Sequence, residues 1–342
     1  MASFTRRMTL SVLGLLLSAG ATFAQTPEAF FRGKQVSLYV FSGAGSTYDV
    51  YSRLLARHLG NNIPGKPTVI VQYMQGAGGL KLVDYINRIA PKDGSAIGMI
   101  GRGLAFEPLL GKNEVNFDPL KLNWIGSMNR EVTVALSWLT SKVKTFDDLT
   151  KIELLVPGTG AGADSEIMPR AFNNLAGTKF KIIMGYRETT EASLQLETGE
   201  LDGIAYWSWS SILAAHPDWL RDKKINLLFK TGHKDLPGAP PDLPVIQDLV
   251  KNPTDRKALD FLLSREPLGR PVVAPPGLSA DRVKTLRESF AATMIDPAFV
   301  AEAERSQIEV NPVSGEEVDA ILKEAATAPP DVINLVKKVL DR

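Results

Sequence analysis

The 342-residue chain contains no cysteine, which excludes disulfides, thiolate metal sites and thiol nucleophiles. Histidine is scarce: His58, His216 and His233 are the only three, none paired with another at metal-ligand spacing, and no H-E-x-x-H occurs. No G-x-S-x-G elbow is present either. Neither sign of charge dominates, with 39 Lys+Arg against 38 Asp+Glu, so the basic surface of a nucleic-acid binder is missing. No apolar run reaches the ~20 residues needed to cross a bilayer, and no repeat of fixed period appears. Catalysis has few groups to work with, and no cofactor and no metal are expected.

What is present begins with an export leader. Arg6 and Arg7 form a positive start, Leu10 to Leu17 an apolar stretch, and Ser18 to Ala24 a small-residue cleavage zone. Cleavage is expected after Ala24, which makes residues 1–24 a signal peptide and the protein periplasmic. Thr5-Arg6-Arg7-Met8-Thr9-Leu10 partly resembles a twin-arginine signal, so the export route stays open.

Strand-like runs then alternate with helical periodicity, the signature of an α/β fold. Twice such a run breaks into a glycine-rich loop that leads into a helix. Val36 to Phe41 is followed by Ser42-Gly43-Ala44-Gly45-Ser46-Thr47, and Ile152 to Val156 by Pro157-Gly158-Thr159-Gly160-Ala161-Gly162-Ala163-Asp164-Ser165. A strand–loop–helix unit exposes backbone N–H groups at the positive end of a helix dipole and attracts anions. The second loop also satisfies G-x-G-x-x-G/A, with Glu188 downstream. That keeps a dinucleotide site as a rival reading, one that export and the incomplete first loop weigh against.

Other expected strands are Thr68–Tyr73, Ala96–Ile100, Lys181–Tyr186, Leu201–Trp207 and Ile225–Phe229, and Ser314 with Glu317 reads as a capping box. In an extended Trp207-Ser208-Trp209 both indoles share a face. Trp207, at a strand end, is expected to wall a pocket, while Trp209 fits core or pocket equally. Arg102 and Arg187 each follow a strand-like run. Each is either a solvated loop arginine or a bidentate holder of a second carboxylate.

In order along the chain, these motifs resemble those of the Bug family, the periplasmic solute receptors of tripartite tricarboxylate transporters. The likeness runs from about Phe30 to Leu340. Its markers are Phe41 to Asp49 running into Tyr51-Ser52-Arg53-Leu54-Leu55; Gln75-Gly76-Ala77-Gly78-Gly79; Ala90-Pro91-Lys92-Asp93-Gly94; Val143 to Leu149; the Gly158–Ser165 loop; Gly199-Glu200-Leu201-Asp202-Gly203; Leu243-Pro244-Val245; and Ala274-Pro275-Pro276-Gly277-Leu278. The resemblance implies a two-lobed Venus flytrap: lobe 1 over 25–127 and 231–342, lobe 2 over 128–230, and a hinge near Gly126–Val132 and Ile225–Lys230. It implies a ligand carboxylate held by Ser42 to Thr47, with Asp49 capping the helix, by Gly76-Ala77-Gly78, and by Thr159, Gly160, Ala161, Gly162, Asp164 and Ser165. Tyr48, between Thr47 and Asp49, departs from the commoner family loop, as do Arg187 and the Trp207/Trp209 pair.

The expected protein is therefore a non-enzymatic, monomeric receptor that binds a small organic acid and delivers it to membrane transporter subunits. A secreted α/β enzyme using a cradle as an oxyanion hole, and a periplasmic sensor, are the alternatives.

Overall fold

The structure, a computed structural model, describes residues 26–110, 117–160, 162–186, 189–232, 236 and 238–340. The expected leader, residues 1–24, and the expected site residues Ala161 and Arg187 lie outside the described residues. The chain runs through β1 (Gln35–Val40), β2 (Thr68–Tyr73), β3 (Ala96–Met99) and β4 (Asn123–Ser127). It continues through β5 (Thr133–Trp138), β6 (Leu154–Gly158), β7 (Phe180–Met184), β8 (Gly203–Ser208) and β9 (Ile225–Lys230). It returns through β10 (Pro271–Ala274) and β11 (Val313–Ser314).

Six strands form the large sheet in the order β11-β4-β10-β3-β1-β2. β1 pairs in parallel with β2 and β3, and β10 lies antiparallel between β3 and β4. The helices Thr47–Asn62 and Leu80–Arg88 make the two parallel crossovers, so the first two glycine loops leave the same end of the sheet. β3 is buried along its whole length, as a central strand covered on both faces should be. The turn before it closes through Asp93, whose Oδ1 accepts from Ser95 N at 2.9 Å and Ser95 Oγ at 2.6 Å.

The second part holds two smaller sheets, antiparallel β8-β5-β9 and parallel β6-β7. They abut where Asp202 N donates to Leu155 O at 3.0 Å and Leu155 N donates to Asp202 Oδ2 at 3.3 Å. β10 and β11 then rejoin the large sheet, whereas the helices Pro253–Leu263 and Pro330–Val339 pack against the helix Asp164–Ala176. Among the described residues no helix is long and apolar enough to cross a membrane.

Local differences from the sequence reading have local causes. The extended segment expected through Trp207-Ser208-Trp209 ends at Ser208, and Trp209 opens the helix Trp209–Ala215. Trp209 N donates to Val132 O at 2.9 Å, which turns the chain away from the sheet and buries the indole at 1% exposure. Thr145 and Asp148 form a complete capping box. Ser314 accepts from Glu317 N at 3.1 Å, but the Glu317 carboxylate pairs with Arg130.

Gly203, in the Gly199–Gly203 motif, has a steric reason to be glycine. A Cβ there would stand 2.3 Å from Leu136 O on the neighbouring strand and 2.8 Å from Leu154 Cδ2. Gly203→Ala should therefore destabilise by about 1–3 kcal/mol, the usual range for an overpacked core. A thermal or denaturant melt will check it; an unchanged midpoint would mean that β8 moves away from β5 at little cost.

Candidate functional site

Each glycine loop is organised by its own side chains. In the first, Ser46 is the N-cap of Thr47–Asn62: its Oγ accepts from Asp49 N at 3.2 Å and lies 2.7 Å from Ser42 Oγ. Asp49, expected to cap the helix, sits in the first turn and accepts from Gly45 N at 2.8 Å. Tyr73 OH at 2.6 Å and Arg53 Nε at 2.8 Å also donate to its carboxylate. Burial pushes the Asp49 carboxyl up, but these three donors hold it below the usual range. The Gly45 N–H is therefore committed inside the loop.

In the second cradle, Ser165 Oγ accepts from Thr159 N at 3.0 Å and lies 2.9 Å from Thr159 Oγ1. Gly162 N donates to Glu166 Oε2 at 2.8 Å. The N-cap of the helix Asp164–Ala176 is Ala163, which offers no side-chain acceptor, so this helix end is left to other partners. Between the cradles Ala77–Gly79 forms one tight turn closed by Gly79 N to Gly76 O at 2.9 Å. A Cβ on Gly160 would stand 3.5 Å from Gly78 N, so the two loops face each other closely.

These loops enclose a cavity of about 550 Å³, mid-range for a small-ligand site. Of the expected residues, Ser42, Ser46, Thr47, Gly76, Ala77, Gly78, Arg102, Thr159, Gly160, Gly162, Asp164, Ser165 and Trp207 line it. Gly43, Ala44, Gly45 and Asp49 are not among its lining residues and form the back of the first loop. The lining also includes Phe41, Tyr48, Tyr186, Tyr206, Ser208 and Arg270, which the sequence reading did not assign to the site. Trp207 supplies a wall whose outer side packs on His216 and Trp219, with ring centroids 5.5 Å away in both cases.

Buried charges hold this arrangement. Asp164 accepts from Arg102 Nε at 3.0 Å and from Arg265 Nη1 at 2.9 Å. Burial raises the Asp164 carboxyl, yet Arg265 and Arg102 hold it below the usual carboxylate range. Arg102 also donates from Nη1 to Ser208 Oγ at 3.3 Å and lies 4.8 Å from the Tyr206 ring centroid. Arg270 Nη2 reaches Ser210 Oγ at 3.3 Å and Ser211 Oγ at 3.1 Å, and its Nη1 lies 3.4 Å from the buried Glu131 carboxylate. Glu266 accepts from Thr133 Oγ1 at 2.8 Å, from Tyr206 OH at 3.2 Å and from Thr231 Oγ1. Burial pushes the Glu266 carboxyl up to about 7 despite the hydroxyl groups and Arg102 around it.

Comparison with known proteins gives the family and the fold. The chain belongs to the tripartite tricarboxylate transporter receptor family, whose model matches residues 53–335. Periplasmic binding protein BugD has a similar fold, with a TM-score of 0.71 and 21% identity over 90% of this chain and 98% of its own. Rpa4515 of R. palustris, solved with adipate, gives 0.70 and 17% over 90% and 98%. MatC of Rhodopseudomonas palustris, solved with bound malate, gives 0.70 and 14% over 91% and 100%. No curated protein matches the sequence closely enough to count as a relative. The motif series and the two-lobed α/β architecture expected from it are thus borne out.

Glu266 makes stability depend on pH with a definite sign. Between the ordinary value of 4.5 and about 7 the folded protein keeps a proton that the unfolded chain releases. Stability contributed by that proton is complete below 4.5 and is lost as pH rises through about 7. Glu266→Gln should remove this dependence, with a difference on the order of 3 kcal/mol across the window. Denaturant melts of both proteins at several pH values check it, and parallel pH profiles would assign the dependence to other groups.

Proposed function

We propose that this receptor binds a small organic carboxylate in the cavity between its lobes and hands it to the membrane subunits of its transporter, working in the periplasm as a monomer and without catalysis. The observation that carries the reading is the convergence of three glycine-rich loops, one at the start of a helix with no side-chain cap, on one cavity. The malate in MatC and the adipate in Rpa4515 are ligands of the class that such loops suit. Ser42, Ser46, Thr47, Gly76–Gly78, Thr159, Gly160, Ala161 and Ser165 hold the carboxylate in this reading, Gly162 and Asp164 fix the second cradle through Glu166 and the two arginines, and Trp207 packs against the ligand body. Gly43, Gly45 and Asp49 act on the ligand indirectly, by fixing the first loop. Micromolar affinity is ~8 kcal/mol, and a few charge-assisted hydrogen bonds of ~1.5–3 kcal/mol each reach it without a metal.

Binding closes the lobes through the segments near Gly126–Val132 and Ile225–Lys230. Thr133 and Thr231 follow these segments and are joined by Thr231 N to Thr133 O at 2.9 Å, as well as through Glu266.

A thermal-shift screen of organic acids tests the reading. A ligand at 100 times its Kd should add ~2.7 kcal/mol to stability, and a panel in which no carboxylate raises the melting temperature would defeat it. Gly160→Val should abolish binding with an unchanged circular dichroism spectrum, because its methyl groups enter the gap to Gly78; retained affinity would remove that loop from the site. Small-angle scattering should give a smaller radius of gyration with saturating ligand, and an identical profile with binding established calorimetrically would reject closure.

A further inference from the structure

The passage from β4 to β5 does not leave the large sheet alone. The chain returning from the helix Pro253–Leu263 to β10 runs beside it in the opposite direction. Met128 N donates to Arg270 O at 3.1 Å, Gly269 N to Asn129 O at 3.0 Å and Glu131 N to Glu266 O at 3.0 Å. Glu266 therefore lies within this paired crossing. Its Oε1 accepts from Thr133 Oγ1 at the start of β5, from Thr231 Oγ1 just after β9 and from Tyr206 OH on β8. Tyr206 also lines the cavity, so one hydrogen bond separates Glu266 from the cavity wall.

The two parts are drawn together in this structure. Arg102, beyond β3, bonds Asp164 and Ser208 of the second part, and a Cβ on Gly160 would stand 3.5 Å from Gly78 N. In that arrangement Glu266 is 8% exposed. The side-chain groups bonded to it are hydroxyls, whereas Asp164 is paired with Arg102 and Arg265, and Glu131 with Arg270. Tyr206 on β8 and Lys230 at the end of β9 complete the titratable groups around the junction. An anion buried among hydroxyls is costly, and its acid form is not. Burial pushes this carboxyl up to about 7, against the pull of Thr231, Arg102, Thr133 and Tyr206.

We propose that Glu266 is the positioning residue of lobe closure, a latch that takes a proton from bulk water as the lobes close on the ligand and returns it as they open. With the lobes apart, water enters the junction and the carboxyl ionises as an ordinary glutamate. With them together, the neutral acid holds the hydroxyls of Thr133, Thr231 and Tyr206 on one oxygen. Closure is then favoured in full below 4.5, and the advantage is lost as pH rises through about 7. Affinity for an acid that stays ionised should fall about tenfold between about pH 6 and pH 8. The inference rests on the carboxylate reading and the lobe closure above, and adds the group that sets the closing equilibrium.

Calorimetry with malate, adipate and benzoate, run in buffers of different ionisation heat, counts the protons. With the tightest binder of these, the native protein should take up about half a proton per ligand at about pH 7 and almost none at about pH 8.5. Glu266→Gln cannot ionise, so it should take up none and should keep at about pH 8 the affinity that the native protein shows at about pH 6. A glutamate with a structural role alone would instead lose affinity at every pH on this substitution. Thr231→Val removes a hydroxyl that favours the ionised form, and should move the fall in affinity to higher pH. Binding without proton uptake by the native protein would overturn the latch whether or not either variant folds, and would leave the carboxylate reading standing. Uptake retained in Glu266→Gln would also overturn it, and would assign the proton to another group such as His216 behind Trp207. If none of these acids binds, the carboxylate reading fails and the latch with it.

Discussion

One carboxylate ties the cavity together. Asp164, in the first turn of its helix, receives Arg102 and Arg265 at 3.0 and 2.9 Å. Placing buried ions is expensive unless geometry and partners compensate, and removing one partner costs far more than the pair contributes. The helix start itself favours a negative group, so Asp164 is held by three positive influences at once. Through Arg102 the constraint reaches Ser208 and the Tyr206 ring, and through Tyr48 it reaches Arg270. Helix start, strand ends and aromatic walls are therefore set by a single chain of charges and rings.

The same chain runs into the segments that join the two parts of the molecule. Tyr206 donates to Glu266, and Glu266 also gathers the hydroxyls of Thr133 and Thr231. Arg270 lies beside Glu131, which accepts from Ser210 Oγ at 2.6 Å at the start of the Trp209–Ala215 helix. The cavity lining and the strands leading out of the large sheet thus share buried polar partners. In a low-dielectric interior such shared groups couple strongly, since each loss leaves another unmatched.

Much of this was legible from local pattern. β2 begins and ends where β-branched residues run between Pro67 and Gln75, and the glycine loops were visible because strand, glycines and helix start are contiguous in the chain. Arg102 was visible for the same reason, standing just beyond a strand-like run. Arg270, Tyr206 and Ser208 enter the site through long-range pairing of β3 with β10 and of β5 with β8, which no local pattern encodes. Arg270 did carry a faint signal, since it stands immediately before the run Pro271–Ala274. Tyr48 was conspicuous as a departure from the commoner loop, but its role as the link between two arginines depends on contacts 54 and 221 residues away. Asp49 was misplaced by reading a cap where the structure has a side chain folded back on Gly45 N. Trp209 followed the alternation of a strand that ends one residue earlier.

Much of the cavity lining comes from strand ends and loops, although Leu104, Ala192, Ile204, Tyr206 and Trp207 belong both to it and to the apolar clusters. Arg102 and Arg270 lie outside β3 and β10, and Trp207 is the penultimate residue of β8. Mutation at the loop positions outside those clusters can therefore rewrite part of the lining while the pairing register stays as it is. After a gene duplication, a daughter receptor could acquire a new diet by a handful of codon changes at these ends and inherit its folding intact.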